Sequence, residues 1–237
     1  MYIKTIQYSM HHSLTETVDQ TAVIIDVFRA TSVIVTALQN GAEKVIVAEE
    51  VAEALAISEA YLLDNYLLGG ERESHPIQGF HYGNSPQSYT RERVDKKDII
   101  LTTTNGTKAA LFCQLAKAAY ACALLNCESI AQQLISQQNN IAIICAGSKN
   151  SFALEDAFCA GMLISEIEEK VTIKMCDFSI ALKKLYHDHK TDMRNLLSQS
   201  KAYQSLISKG YEDDVDFCLQ KNIYHVIPTL IGNEFTI

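Results

Sequence analysis

The chain has 237 residues, 48% of them hydrophobic and 20% charged, which suits an ordinary globular protein with a substantial core. Its formal net charge of −8 argues against nucleic acid or an anionic membrane as main partner, because neither offers counter-charge to an acidic surface. A small anionic ligand stays compatible, since one Arg and a helix N-terminus can make a local positive pocket.

Tyr2–Tyr8 alternates weakly and reads as an edge strand, and His11 to Gln20 as a polar loop. Val23, Ile24 and Ile25 form an apolar run suited to a buried strand, and the run stops at Asp26. Thr31 and Ser32 then stand where a helix N-cap belongs, with Ile34, Ala37 and Leu38 at helical spacing and Gly41 as the stop. Val45–Ala48 completes a strand–helix–strand unit, and Val51, Leu55, Leu62 and Tyr66 mark a second amphipathic helix. From Leu68 to Arg93 periodicity fades into a Gly- and Pro-punctuated segment carrying Glu71, Arg72, His75, His81, Asn84 and Ser85, long enough to be read as a site loop.

Ile99–Thr103 is the next strand, with Ala109–Lys117 as its helix. Tyr120–Leu124 is a strand, Ser129–Gln137 a helix, and Ile141–Cys145 a strand that breaks at Ala146-Gly147. Leu154, Phe158, Gly161, Met162 and Ser165 share one side of a longer helix. Phe178 onward is helical with breaks near Asp188 and Gly210, the acidic group Glu212, Asp213, Asp214 and Asp216 reads as a solvated face or a cap, and His225–Thr229 as a last strand. Strand, polar turn and helix thus recur after Ile25, Thr102 and Ile144. The expected fold is a single α/β domain over 1–237, a three-layer α/β/α sandwich with a mainly parallel sheet and its three turns at one edge. The units are too dissimilar to establish a duplication.

In such sheets ligands bind beyond the carboxyl ends of the strands. The first turn delivers Asp26, Arg29, Thr31 and Ser32, although pairing and capping explain it equally well. In the second, Thr103, Thr104, Asn105, Gly106 and Thr107 suit a phosphate or sulfonate cradle; there is no Walker loop. The third carries Gly147 and then Glu155 and Asp156, which either complement a helix dipole or, with Asp26 and Glu71, give Mg²⁺ the hard oxygen donors it prefers. Weaker candidates are His187-Asp188-His189, His11-His12 and Cys145. The haloacid-dehalogenase pattern is excluded, because its second Asp is replaced by Phe28. The seven cysteines form no C-x-x-C pair, no apolar run reaches bilayer length and the first residues do not read as a signal peptide, so reduced, mostly buried thiols in a cytoplasmic protein are expected.

Taken in order, Asp26-Val27-Phe28-Arg29-Ala30-Thr31-Ser32, Gly70-Glu71-Arg72, Gly79-Phe80 with Gly83-Asn84-Ser85-Pro86, Thr102 through Thr107, and Cys145-Ala146-Gly147 with Leu154-Glu155-Asp156-Ala157 resemble the 2-phosphosulfolactate phosphatases from about Val23 to Gly161. The resemblance implies an α/β, Mg²⁺-dependent phosphatase that hydrolyses 2-phospho-3-sulfolactate to 3-sulfolactate and phosphate, a step of coenzyme M biosynthesis in methanogens. It implies Asp26 as metal ligand, with Glu71, Glu155 or Asp156 as further candidates. Arg29 and Arg72 would hold phosphate or sulfonate. Thr31, Ser32, Asn84, Ser85, the Thr103–Thr107 turn and Gly147 would line the substrate site. Phe28, in place of an aliphatic residue, and the Glu73-Ser74-His75-Pro76 loop depart from the family pattern. Other readings are a metal-dependent phosphatase of another small phosphorylated acid and a non-catalytic sulfonate or phosphate binder. A homodimer is compatible with the sequence but not indicated by it.

Overall fold

The computed structural model describes residues 1–8, 13–61, 65–148 and 151–237. His11, His12, Leu62, Lys149 and Asn150 therefore lie outside the described residues. Among the described residues the strands are β1 (Tyr2–Gln7), β2 (Thr21–Ile25), β3 (Lys44–Val47), β4 (Tyr66–Arg72), β5 (His75–Pro76), β6 (Asp98–Thr102), β7 (Ala118–Cys122), β8 (Ile141–Cys145), β9 (Lys174–Met175), β10 (Thr229–Ile231) and β11 (Glu234–Thr236). The α-helices are α1 (Ala30–Gln39), α2 (Val51–Ser58), α3 (Arg91–Val94), α4 (Gly106–Phe112), α5 (Cys127–Gln137), α6 (Leu154–Glu168), α7 (Asp177–His189), α8 (Met193–Leu197), α9 (Lys201–Ser208) and α10 (Glu212–Cys218).

One sheet runs β5-β4-β6-β3-β11-β10-β7-β2-β8-β1-β9. Two parallel sets, β4-β6-β3 and β7-β2-β8-β1-β9, are joined by the antiparallel hairpin β10–β11. The expected parallel sheet is therefore mixed at its centre, and the last strand is a hairpin beginning at Thr229 rather than a single strand at His225. β1 is not the edge: it pairs β8 on one side and β9 on the other.

Strand alternation sends side chains to both faces. Val23 and Ile25 of β2 pack with α5, α6 and Leu182 of α7, while Ala22 and Ile24 pack with α1 and α4. Ile46, Leu68 and Ile100 meet Ala54 of α2 on the same side as α5. Both faces are thus covered, and the strands read as near-continuous apolar runs for that reason. A central strand such as β2, buried at every position, stabilises the fold by roughly 1.5–3 kcal/mol per large aliphatic side chain.

Several expected boundaries move, among them the end of α4, at Phe112 rather than Lys117, and β7, which runs Ala118–Cys122 rather than Tyr120–Leu124. The second helix ends at Ser58, with Ala54 and Ser58 as its buried side, while Leu55 is 44% exposed. Tyr66 belongs to β4, so the heptad-like spacing had merged a helix with the strand after it. That strand also absorbs Leu68 to Arg72 from the expected loop. α4 starts three residues early because the Thr103 hydroxyl accepts the Thr107 amide (3.2 Å) and the Thr107 hydroxyl returns to the Thr103 carbonyl (2.9 Å).

Candidate active site

Four strand ends meet around one cavity of about 340 Å³, lined among others by Asp26, Phe28, Arg29, Glu71, Asn84 and Thr104. Asp26 follows β2 and is 7% exposed. Its Oδ1 accepts the Ala30 amide at 3.2 Å. Thr31 and Ser32 do not cap the helix or reach the cavity. They sit inside α1, where the Thr31 hydroxyl donates to the Asp26 carbonyl (2.8 Å) and Ser32 to the Val27 carbonyl (2.8 Å). Fully buried hydroxyls must find local acceptors, and here they pin the turn that presents Asp26.

The second turn reaches the first through Gly106. A Cβ there would stand 2.4 Å from Ala30 Cβ and 2.7 Å from Asp26 Oδ2, so only glycine lets the two turns touch. Thr103, Thr104 and Asn105 line the cavity. Glu71, at the end of β4, accepts the Thr104 amide and hydroxyl on Oε1 (2.8 and 2.9 Å) and the Ser74 amide on Oε2 (2.6 Å).

The third turn is fastened by Asp156. Its Oδ1 accepts the Val27 amide and its Oδ2 the Gly147 amide, both at 2.9 Å. Gly147 has φ +70° and no room for a Cβ beside Gln7 and Ser151. Asp156 and Gly147 thus act as a clamp between turns, which removes both from the set of free ligands. Cys145 is buried, and burial together with the Asp156 and Glu155 carboxylates pushes its thiol well up, against a nucleophilic role.

Arg29 is 3% exposed. Its Nη1 donates to Asp214 Oδ2 at 2.5 Å, its Nη2 to the Ser74 carbonyl at 3.3 Å, and its guanidinium lies 4.3 Å from the Tyr211 ring centroid. Ser85 does not line the cavity either; its hydroxyl donates to Asp214 Oδ1 at 2.5 Å. Asp214 is therefore not solvated, as the acidic group of α10 had suggested. It is the buried partner of the site arginine, on the same helix face as Cys218 four residues later. That i, i+4 pairing with a buried cysteine was the one sequence sign of it.

Arg72 is turned away. It donates to the carbonyls of Glu71 (2.9 Å) and Glu49 (3.2 Å) and to the Thr102 hydroxyl (3.0 Å). Phe28 packs against the core beside α5 and α6 and also lines the cavity, so this departure touches the substrate space as well as the core. The sequence placed a helix before Gly210 but not at the site: α9 and its C-cap bring Lys201, Ser205 and Lys209 to the rim, and Lys209 donates to the Glu73 carbonyl at 2.6 Å. His187 faces Ser165 (3.0 Å) and Asp188 pairs with Lys184. His81 accepts the Leu68 amide at 2.9 Å.

Electrostatically the floor is short of positive charge. Burial, with Glu71 and Glu155 adding repulsion, pushes the Asp26 carboxyl up to about 7 against the opposing pull of the Ala30 amide and Arg29. Burial also raises Glu155. Three buried side-chain oxygens, Gln7 Oε1, Asn84 Oδ1 and Glu155 Oε2, have no hydrogen-bond partner among the described residues. Unpaired oxygens beside mutually repelling carboxylates suit a hard divalent cation, which Asp26, Glu155 and Asn84 would hold. Glu71, whose oxygens already accept three hydrogen bonds, is fastened like Asp156. Among the described residues no three carboxylates bring an oxygen each within 4.8 Å of one another.

A family model described as 2-phosphosulpholactate phosphatase matches residues 7–233. The chain belongs to that family. Relatives named "Probable 2-phosphosulfolactate phosphatase" include proteins of Clostridium botulinum (36% identical over 217 residues, 91% of each chain) and Clostridium novyi (38% over 213 residues, 89% of this chain and 88% of the other). One of Caldanaerobacter subterraneus is 34% identical over 232 residues, 97% of this chain and 95% of its own. The match to this phosphatase family thus takes in α9 and α10, beyond the motifs that end near Gly161.

Proposed function

We propose that this protein is a Mg²⁺-dependent phosphatase that hydrolyses 2-phospho-3-sulfolactate to 3-sulfolactate and phosphate in the cytoplasm. Family membership over nearly the whole chain supports the substrate. The observation that carries the mechanism is the buried Asp26 carboxyl, which lines the cavity with Glu71 and Arg29 and feels the charge of Glu155 as well. An anion meets repulsion from that floor unless a cation intervenes, which disfavours a simple anion-binding protein. The free cysteines, six of the seven buried, suit a reducing compartment.

When bound, Mg²⁺ supplies neutralisation of phosphate oxygens and a more acidic water. The protein's own residues do the rest. Arg29, aligned by Asp214, holds the phosphate and gains strength as charge develops on it. Asp26 orients the attacking water and receives its proton as the water oxygen bonds to phosphorus and the P–O ester bond breaks. The departing alkoxide takes a proton from solvent, a direct displacement that needs no covalent intermediate. Lys201 and Lys209, on the α9 rim, attract the remaining anionic groups of the substrate, and Phe28 covers its carbon skeleton.

Phosphate release from 2-phospho-3-sulfolactate, with Mg²⁺ and with chelator, beside a panel of phosphorylated hydroxy acids, tests this. Metal-dependent turnover fastest on phosphosulfolactate is expected. Faster turnover of another ester discards the substrate and keeps the chemistry; ligand binding without any release discards the enzyme.

A further inference from the structure

On the side of the sheet covered by α5 and α6, beneath the turns that carry Asp26 and Glu155, three thiols converge. Cys122 ends β7, in register with Ile25, the residue before Asp26. Cys127 opens α5, and Cys159 lies one helical turn after Glu155 in α6. Their sulfur atoms all lie within 4.8 Å of one another, every one of the three residues is fully buried, and their surroundings are apolar, among them Ile130, Phe158 and Leu163.

We infer that Cys122, Cys127 and Cys159 form a three-sulfur site for a neutral trivalent electrophile of the arsenite type, and that filling it disables the phosphatase site above. The spacing is right for one central atom. A pyramidal centre with bonds of about 2.3 Å to sulfur holds the sulfurs about 3.5 Å apart. Charge then selects the class of ligand. Three thiolates around Zn²⁺ leave a net charge of −1, and around Cu⁺ a net charge of −2, in an apolar interior where Glu128 and Glu166 interact with Cys127 with the same sign and the Lys221 ammonium lies against the Phe158 ring, 5.9 Å from its centroid. Burying that charge unpaired is costly, and structural zinc also wants a fourth ligand.

Arsenous acid, As(OH)₃, avoids the penalty. Each As–O bond is replaced by an As–S bond, and each thiol proton leaves with a hydroxide as water. Three thiols therefore give one neutral As(SR)₃ and three waters with no change of oxidation state. Both the entering molecule and the product are uncharged, as an apolar core requires. Drawing β7, α5 and α6 onto one atom shifts the ends of β2 and α6, where Asp26 and Glu155 stand. This coupling, unlike the site itself, rests on the phosphatase reading.

The test uses the full-length reduced protein, loaded with Mg²⁺ and exposed to arsenite. Native mass spectrometry should show one arsenic less three hydrogens per chain, and X-ray absorption three sulfur neighbours around it. Phosphatase activity should fall by about a hundredfold, the loss that a displacement of order 1 Å carries, and return on adding a small dithiol. Cys127→Ala and Cys159→Ala, checked for folding by circular dichroism, should bind none; Cys113→Ala should bind as the parent does. No arsenic on the folded parent, persistence of binding in Cys127→Ala, or preferential uptake of Zn²⁺ by the same three thiols overturns the site. One arsenic bound with unchanged turnover overturns the coupling. A protein with no phosphatase activity leaves mass and coordination to decide the site alone.

Discussion

Replacing Asp26 by Asn should make the metal-free protein less sensitive to pH while abolishing its activity. The carboxyl is raised from 3.8 to about 7, so between those values the folded protein keeps a proton that the unfolded chain has lost. Stability therefore falls as pH rises from about 4 to about 7 and is level above that. Three pKa units at about 1.4 kcal/mol each give about 4 kcal/mol in total, of which about 3 kcal/mol falls between pH 5 and pH 8. Glu155 and Asp156 are raised too and act with the same sign, so the parent alone does not isolate Asp26. The difference between parent and Asp26→Asn reports Asp26 together with the share of the Asp156 rise that its charge causes, both of one sign, because the amide keeps an oxygen for the Ala30 amide and cannot titrate. The assay is urea unfolding in chelator at pH 5 and pH 8. The variant should gain about 3 kcal/mol on the parent over that interval. Mg²⁺ should restore the parent at pH 8 by taking the proton's place and leave the variant unmoved. Parallel pH profiles for the two proteins would refute the reading of Asp26 as a buried, repelled carboxyl.

Asp214→Ala leaves the Arg29 guanidinium buried with only the Ser74 carbonyl and the Tyr211 ring. A loss of about 3–5 kcal/mol follows, seen as a Tm lower by roughly 2–4 °C for each kcal/mol, together with a fall in kcat/KM; Arg72→Ala, whose side chain is turned away from the cavity, should spare kcat. Equal damage from the two would show that the Arg29–Asp214 pair does not organise the site. Gly106→Ala drives a methyl against Asp26 and Ala30. It should cost about 1–3 kcal/mol in thermal unfolding and about a hundredfold in kcat, and unchanged kcat would mean that the contact between the two turns is not needed.

The β2 and β8 runs were legible because strands buried on both faces need apolar side chains at every position. So were the three polar turns, since a site that binds an anion must carry polar groups just where those runs stop. Their convergence was inferred from parallel topology, and the contacts among Asp26, Gly106, Asp156 and Gly147 realise it. Arg29 and Arg72 looked alike in sequence. Only packing separates them, one pinned by Asp214 beside the cavity and the other drawn to the Glu49 carbonyl and Thr102.

Local chemistry by itself determined which strands are buried, where they end in polar turns and which residue types those turns offer. Partners distant in the chain were decided by the tertiary structure: the hairpin that breaks the parallel sheet, α9 over the rim, and an aspartate 185 residues from its arginine. Short-range periodicity reports whether a side chain is buried, but not which charge will be buried against it, because that choice is made only when the sheet and its helices close together.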